Sequence, residues 1–298
     1  MKTIYAFVLL LLIPCFGIKS QVPISVNQDS LKIGKSVLPG LTVNIPEANY
    51  EKTLKAWIKI LETGTKSKVV TENNEMSIFG AKTKDVVPTT LNVYSKLIAR
   101  DSSLQLSASF ELGKDKYIDK TAGETDYDKA KNFLKQFAKD RYVEVAQDRV
   151  DSEGKKLKDL QKELASLEKE KTRLQKSIQS NTSTIIEEKN NIDVQNNELK
   201  NVSASIIDNN SQLSGMDEGP AKEERQKYIK DLEKRQKKAL GGIESSENKI
   251  NKSNSEIDQA NRDISTNEMM QEKVREQIAQ QEAVLQKFTN KLTTIKGY

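Results

Sequence analysis

From Leu157 onward the chain places a residue suited to a helical seam at every seventh position, and that spacing leaves it few folds to choose from. The series runs Leu157, Leu164, Lys171, Ile178, Ile185, Ile192, Leu199, Ile206 and Leu213. Three residues after each of the first eight stand Leu160, Leu167, Leu174, Asn181, Glu188, Gln195, Val202 and Asn209. These are the a and d positions of a coiled coil, which draw one narrow stripe along a helix. A second run follows. Its a series is Ile229, Gln236, Ile243, Ile250, Ile257, Ile264, Gln271, Ile278, Leu285 and Leu292. Its d series is Leu232, Ala239, Ser246, Ser253, Ala260, Asn267, Val274, Gln281, Phe288 and Ile295.

Between the runs stands SGMDEGPAKEE, residues 214–224. Gly215 suits the end of one helix, and Pro220, after Gly219, suits the first turn of the next. The two arms have similar lengths, so the stretch 214–221 reads as the tip of an antiparallel hairpin. Antiparallel seams set a against d. Pairing residues whose numbers sum to 438 does so, with Ile206 on Leu232, Ile192 on Ser246 and Glu188 on Ile250. Lys171 then meets Asn267 in one polar layer. A sum of 445, one heptad away, is the competing register. The 438 pairing also carries Phe288, Leu292 and Ile295 back to Val150, Ala146 and Val143. Ser246 and Ser253 read as seam hydroxyls without strong partners, so replacing them by Ala is expected to stabilise modestly. Gly154, Gly241 and Gly242 fall inside the arms without breaking the heptad phase and read as soft spots.

Residues 21–124 have a different texture, with four prolines and the one Trp. Glu47–Thr63 reads as a helix with Tyr50, Leu54, Trp57, Ile58 and Leu61 at helical spacing. Short strands are expected at 68–72 and 75–83. Strict alternation marks 91–99 and 104–112 as strands with one buried face, joined by a turn at 100–103. One or two more strands fit 22–45. A helix then starts at Thr125, with Asp128 placed as in a capping box. The expected fold is an α+β head of helix, antiparallel meander and helix, followed by a long coiled-coil hairpin over 125–298. The stretches NYEKTLKAWIKIL and EMSIFGAKT and the 91–112 hairpin resemble a family of exported bacterial proteins of unknown function with a TATA-binding-protein-like α/β domain. That resemblance implies a fold and an envelope location, and no activity.

The chain opens MKTIYAFVLLLLIPCFGIKSQ. Lys2 and the apolar run after it read as a signal peptide over 1–20, cut near Ser20 or Gln21. Lipidation at Cys15 is the lesser alternative, since Pro14 stands where a small residue is wanted. Cys15 is the one cysteine and there is no histidine, which removes the common zinc sites and the Cys/His and Ser/His/Asp nucleophile systems. Residues 151–298 hold 26 basic and 26 acidic side chains, so no basic stripe points to nucleic acid. GKS at 34–36 lacks the P-loop glycine, because position 29 is Asp. DNNSQL from Asp208 begins like a calcium loop, but Leu213 and Gly219 stand where Gly and Glu are required. Asp217 and Glu218 read as a solvated turn. Asn181, Asn201, Asn209 and Asn251 open N-x-[ST] triplets expected by chance, and DSL at 29–31 resembles an O-glycosylation triplet.

No cofactor or metal is expected. The sequence points to a non-enzymatic envelope protein, monomeric or homodimeric, that serves as a scaffold, spacer or protein-interaction module with a protein partner. A holdase chaperone for outer-membrane proteins and a regulator of cell-wall hydrolases are the alternatives; an enzyme using carboxylates of the head stands behind them. An arm of roughly 65 residues at 1.5 Å per residue is about 100 Å long. Small-angle scattering is therefore expected to give a maximum dimension of at least about 100 Å, and a particle of globular size would exclude the hairpin.

Overall fold

The computed structural model describes residues 23–121 and 123–298. The expected leader, with Cys15 and the Ser20–Gln21 cleavage position, lies outside them. By internal contacts the chain divides into two compact units. One runs to Glu153 and includes Leu285–Tyr298; the other is Gly154–Val284. The first unit thus holds more than the 21–124 expected of it.

Among the described residues, seven strands and one short helix precede two long helices. They are β1 (Val26–Ile33), β2 (Ser36–Pro46), α1 (Tyr50–Glu62), β3 (Val70–Glu72), β4 (Glu75–Ala81), β5 (Leu91–Arg100), β6 (Ser103–Gly113) and β7 (Lys116–Tyr117). Helices α2 (Glu124–Ser214) and α3 (Pro220–Lys296) follow and form the hairpin. The sheet order is β1-β2-β6-β5-β4-β3, with β7 on β6, and every pairing is antiparallel. The meander β3–β6 is the expected one. Two features are added to it. The β1–β2 hairpin joins the far side of β6, with Val43 opposite Leu106, and β7 adds a short strand after the turn at Lys114–Asp115.

Local chemistry sets the turns. Gly34 has φ 54° in the two-residue connection of β1 to β2, a conformation glycine enters without steric cost. Helix α1 starts three residues later than the spacing suggests. Pro46 still pairs in β2 with Ser103, and Glu47 turns the chain at φ 56°. Asn49 is the actual cap, and its Oδ1 accepts from the Lys52 N–H at 3.0 Å. At the start of α2, Thr125 lies inside the helix, and the Gly123 carbonyl accepts from the Tyr127 N–H. The Thr125–Asp128 capping box is therefore not used.

The core of the first unit lies on one face of the sheet. Leu41, Val43, Ile45, Leu91, Val93, Leu97, Leu106 and Phe110 meet Trp57 and Leu61 of α1 and Phe133, Leu134, Phe137 and Ala138 of α2. Leu292 and Ile295 of α3 belong to the same cluster, with Ala146. Trp57 is fully buried. Its ring meets Phe137 edge-on at 4.9 Å and Phe133 at 5.9 Å, and its Nε1–H donates to Ser95 Oγ at 2.9 Å. Apolar area sets the size of this contact, and the one polar atom of the indole is satisfied. Trp57→Ala is expected to cost about 3–5 kcal/mol. Ser95→Ala leaves the indole N–H without an acceptor and is expected to cost about 1–3 kcal/mol. Urea unfolding followed by circular dichroism checks both.

Candidate functional site

Along both long helices, every a and d position from Leu157 to Leu213 and from Ile229 to Ile295 is buried or half-buried. Every b, c and f position over the same ranges is exposed. The pattern is that of a two-helix seam, since a third helix would cover a second stripe. Seam positions Val202, Ile229, Leu232, Val274 and Leu292 are among the most buried. The α3 d positions from Leu232 to Val274, including the small Ala239, Ser246, Ser253 and Ala260, are all buried.

Polar contacts fix which residues stand level. Ser246 Oγ donates to Glu188 Oε2 at 2.7 Å, and Lys249 Nζ to Glu188 Oε1 at 2.6 Å. Gln236 Nε2 donates to Ser203 Oγ at 3.1 Å, Lys171 pairs with Glu268 at 2.7 Å, and Asn267 Nδ2 donates to the Leu167 carbonyl. Each lies within five residues of the alignment that sums to 438. The 445 alignment would put Ser246 level with Leu199, about 16 Å along the axis from Glu188, beyond the reach of the two side chains. The expected polar layer of Lys171 and Asn267 is divided: each finds a different partner.

Glu188 is the chemical centre of the hairpin. A carboxylate at a d position is costly to bury unless its lone pairs are filled. Here the side chain is 7% exposed and meets Lys249, Ser246 and, on its own helix, Asn191. Hydrogen bonds from Lys249, Ser246 and Asn191 hold its carboxyl down to about 2, against the opposing effect of burial. Ser246 is thus no unpartnered hydroxyl. Its expected stabilising replacement by Ala reverses sign, because the change would strip a donor from a buried charge. The signal was readable: Lys249 directly precedes Ile250, the residue that the 438 pairing sets on Glu188.

At the tip, Gly215 N–H donates to the Gln212 carbonyl at 3.2 Å, a three-residue closing turn. Gly215 does not adopt the left-handed conformation of the usual glycine cap. The Gly219 carbonyl accepts from Lys222 and Glu223, and Pro220 takes the first position of α3. Arg225 reaches across to Asn209 and Gln212. Asp217 and Glu218 are exposed, and Glu218 pairs with Lys222.

In the first unit, the sheet face opposite the core carries a second polar cluster. Glu111 accepts from Asn92 Nδ2 at 2.8 Å, Tyr94 Oη at 3.2 Å and the Asp115 N–H at 3.2 Å. The Asn92 bond leads in holding its carboxyl below the ordinary range, while burial pushes the Tyr94 and Tyr117 hydroxyls up. Glu75 is likewise lowered, first by the Gly34 N–H. The three donors tie the Glu111 carboxylate to β5 and to the turn before β7, so the cluster braces this edge of the sheet. Two surface hollows among the described residues are open: one of about 450 Å³ along Gly241–Lys252 and one of about 410 Å³ beside α1 at Lys55–Lys68. Among the described residues, no group of three or more Asp, Glu, His or Cys side chains is placed to hold a metal ion. No helix among them is long and apolar enough to cross a membrane.

No family model matches the chain, and no curated protein matches it. Among solved structures it is similar to a coiled-coil segment of Smc from Pyrococcus yayanosii. That likeness has a TM-score of 0.42 and 20% identity, and covers 55% of this chain and 71% of that one.

The pH dependence of the hairpin follows from Glu188. Its folded value, about 2, lies below the ordinary 4.5. Its contribution is therefore complete above about 4.5 and is lost as pH falls toward 2. Thermal melts by circular dichroism are expected to show a midpoint falling over that window, with a smaller fall in Glu188→Gln. Ser246→Ala is expected to melt lower than the native chain at pH 7.

Proposed function

We propose that this chain is an exported, non-enzymatic envelope protein whose coiled-coil hairpin serves as a scaffold, spacer or protein-interaction module. The observation that supports the reading most is the exposure of every b, c and f position along the two heptad runs. The seam is satisfied within one chain, and the outer surface of the hairpin remains available. The leader-like opening supports export. The absence of histidine from the sequence adds to the case against acid–base or zinc catalysis.

A second reading, a holdase for outer-membrane proteins, is favoured by one feature. Ile207, Tyr228, Leu240, Met269 and Met270 are exposed on the hairpin, and methionine adapts readily to irregular apolar partners. A regulator of cell-wall hydrolases remains the third.

Two experiments separate these readings. Fractionation of the native producer is expected to place the chain in the envelope, and recovery of the full-length precursor from cytosol would exclude export. In parallel, the purified protein is captured on beads from envelope extract, beside a variant carrying Tyr228→Ser, Leu240→Ser, Met269→Ser and Met270→Ser. The scaffold reading expects a small, discrete partner set that binds at stoichiometric levels. The holdase reading expects suppression of unfolded-porin aggregation, lost in the variant. If neither is seen, the hairpin is not a binding surface.

A further inference from the structure

The apolar half of the hairpin seam does not by itself choose an alignment. Helix α2 presents Ile178, Ile185, Ile192, Leu199 and Ile206 at a positions, and α3 answers with Ala239, Ser246, Ser253 and Ala260 at d positions. Sliding one helix by seven residues sets the same kinds of residue against each other. In the observed alignment Ile192 is level with Ser246 and Ile185 with Ser253. One heptad on, Ile192 is level with Ser253 and Ile185 with Ala260. Apolar burial changes little in these central layers, because an aliphatic residue faces a small one in either state; only the outer layers differ, Ile206 exchanging Leu232 for Ala239 and Ile178 exchanging Ala260 for Asn267.

The polar contacts are not periodic in this way. Glu188 meets Ser246 at 2.7 Å and Lys249 at 2.6 Å. One heptad toward the α3 C-terminus, the corresponding residues are Ser253 and Glu256, so a buried carboxylate would face a second carboxylate. One heptad the other way they are Ala239 and Gly242, which offer no side-chain donor. Three other cross-helix pairs behave alike. Arg275 pairs with Glu168 at 3.5 Å, and either slide brings Glu268 or Glu282 to Glu168. Lys171 pairs with Glu268 at 2.7 Å, and a slide brings Arg275 or Asn261. Arg235 pairs with Glu198 at 2.6 Å, and a slide brings Gly242 or Tyr228. In each case one heptad in either direction turns an attraction into a repulsion or into nothing.

We propose that a charge code centred on Glu188, and not the apolar seam, sets the register of this hairpin. Glu188 dominates because it is the buried member. An exposed ion pair contributes little, whereas a buried carboxylate that loses its donors is strongly disfavoured. Glu188 and Lys249 hold the native alignment, and Glu256 closes the alternative one heptad on. Glu188 is thus a positioning residue for the whole hairpin, and exchanging two charges on α3 is enough to move the arms.

The test is disulfide mapping in the full chain with Cys15→Ser. Ile178→Cys is combined in turn with Ala260→Cys, Asn267→Cys or Ser253→Cys. These report the native alignment, the slide toward the α3 C-terminus and the opposite slide, because facing seam positions lie within disulfide reach. With native charges the Ala260→Cys pair is expected to be the dominant intrachain link. In the exchange variant, Lys249→Glu with Glu256→Lys, the dominant link is expected to move to the Asn267→Cys pair. In Glu188→Leu, which fills the seam with an aliphatic side chain, the three pairs are expected to compete, with helicity at 222 nm retained. If the exchange variant loses helicity, Glu188→Leu alone decides. Persistence of the Ala260→Cys pair as the dominant link in every folded variant overturns the proposal, since the ends of the hairpin would then suffice to hold its register.

Discussion

Over the heptad runs, from Leu157 to Leu213 and from Ile229 to Ile295, each long helix carries one narrow stripe, so these stretches of α2 and α3 depend on their mutual seam. The a and d positions are withdrawn from water, some flanking e and g positions are half-buried, and the b, c and f positions are exposed throughout both heptad runs. A helix with two buried positions in seven gains too little alone, because most helical stability in proteins comes from packing such a face. This seam is lean even by that measure. Small or polar residues hold the α3 d positions Ala239, Ser246, Ser253, Ala260 and Asn267. The aliphatic column of α2 offsets part of the deficit, while the hydrogen bonds received by Glu188 and the one Asn267 donates to the Leu167 carbonyl keep the buried polar groups satisfied.

The first unit rests on the opposite economy. Trp57, Phe110, Phe133 and Phe137 bring large rings together on one face of the sheet. A single indole–hydroxyl bond satisfies the polar atom among them. The other face is held by short polar contacts such as Glu111 with Asn92 and Thr42 with Ser107 at 2.7 Å. A sheet covered on one side can carry such a face, because water meets whatever the side chains leave open.

Periodic features, and the pairings they imply between neighbouring elements, were legible in the residues; pairings that no periodicity marks were not. The heptads, the alternation in 91–112 and the Gly/Pro tip each repeat a local rule. The attachment of β2 to β6 does not. Neither Val43 nor Leu106 carries a mark naming the other, and hydrophobic strands of similar pattern pair equally well on paper. The start of α1 was misread because Pro46 serves a strand end as readily as a helix start, and the deciding contact is Asn49 Oδ1 on the Lys52 N–H. Ser246 was misread because its partner lies 58 residues away. Its environment follows only from the register, which brings Ser246 and Lys249 beside Glu188.

Gly242 shows how sequence exceptions in the hairpin gather around its polar centre. A Cβ at this position would lie 3.2 Å from Gln195 Cδ, tighter than an ordinary contact, whereas one at Gly241 or Gly154 would meet nothing within 4 Å. A glycine inside a helix costs about 1 kcal/mol relative to alanine, so the site gives up helix propensity. In exchange, the Gln195 side chain lies against the bare α3 backbone, one layer from Glu188. The polar d residues Glu188 and Gln195 thus stand in successive heptads of α2, opposite the stretch of α3 that runs from Gly242 to Lys249. Aliphatic substitution there would strengthen the seam and extend its periodic part. The polar residues do the reverse: they weaken the seam locally and make one alignment differ from its neighbours, which a uniform seam of this length could not do.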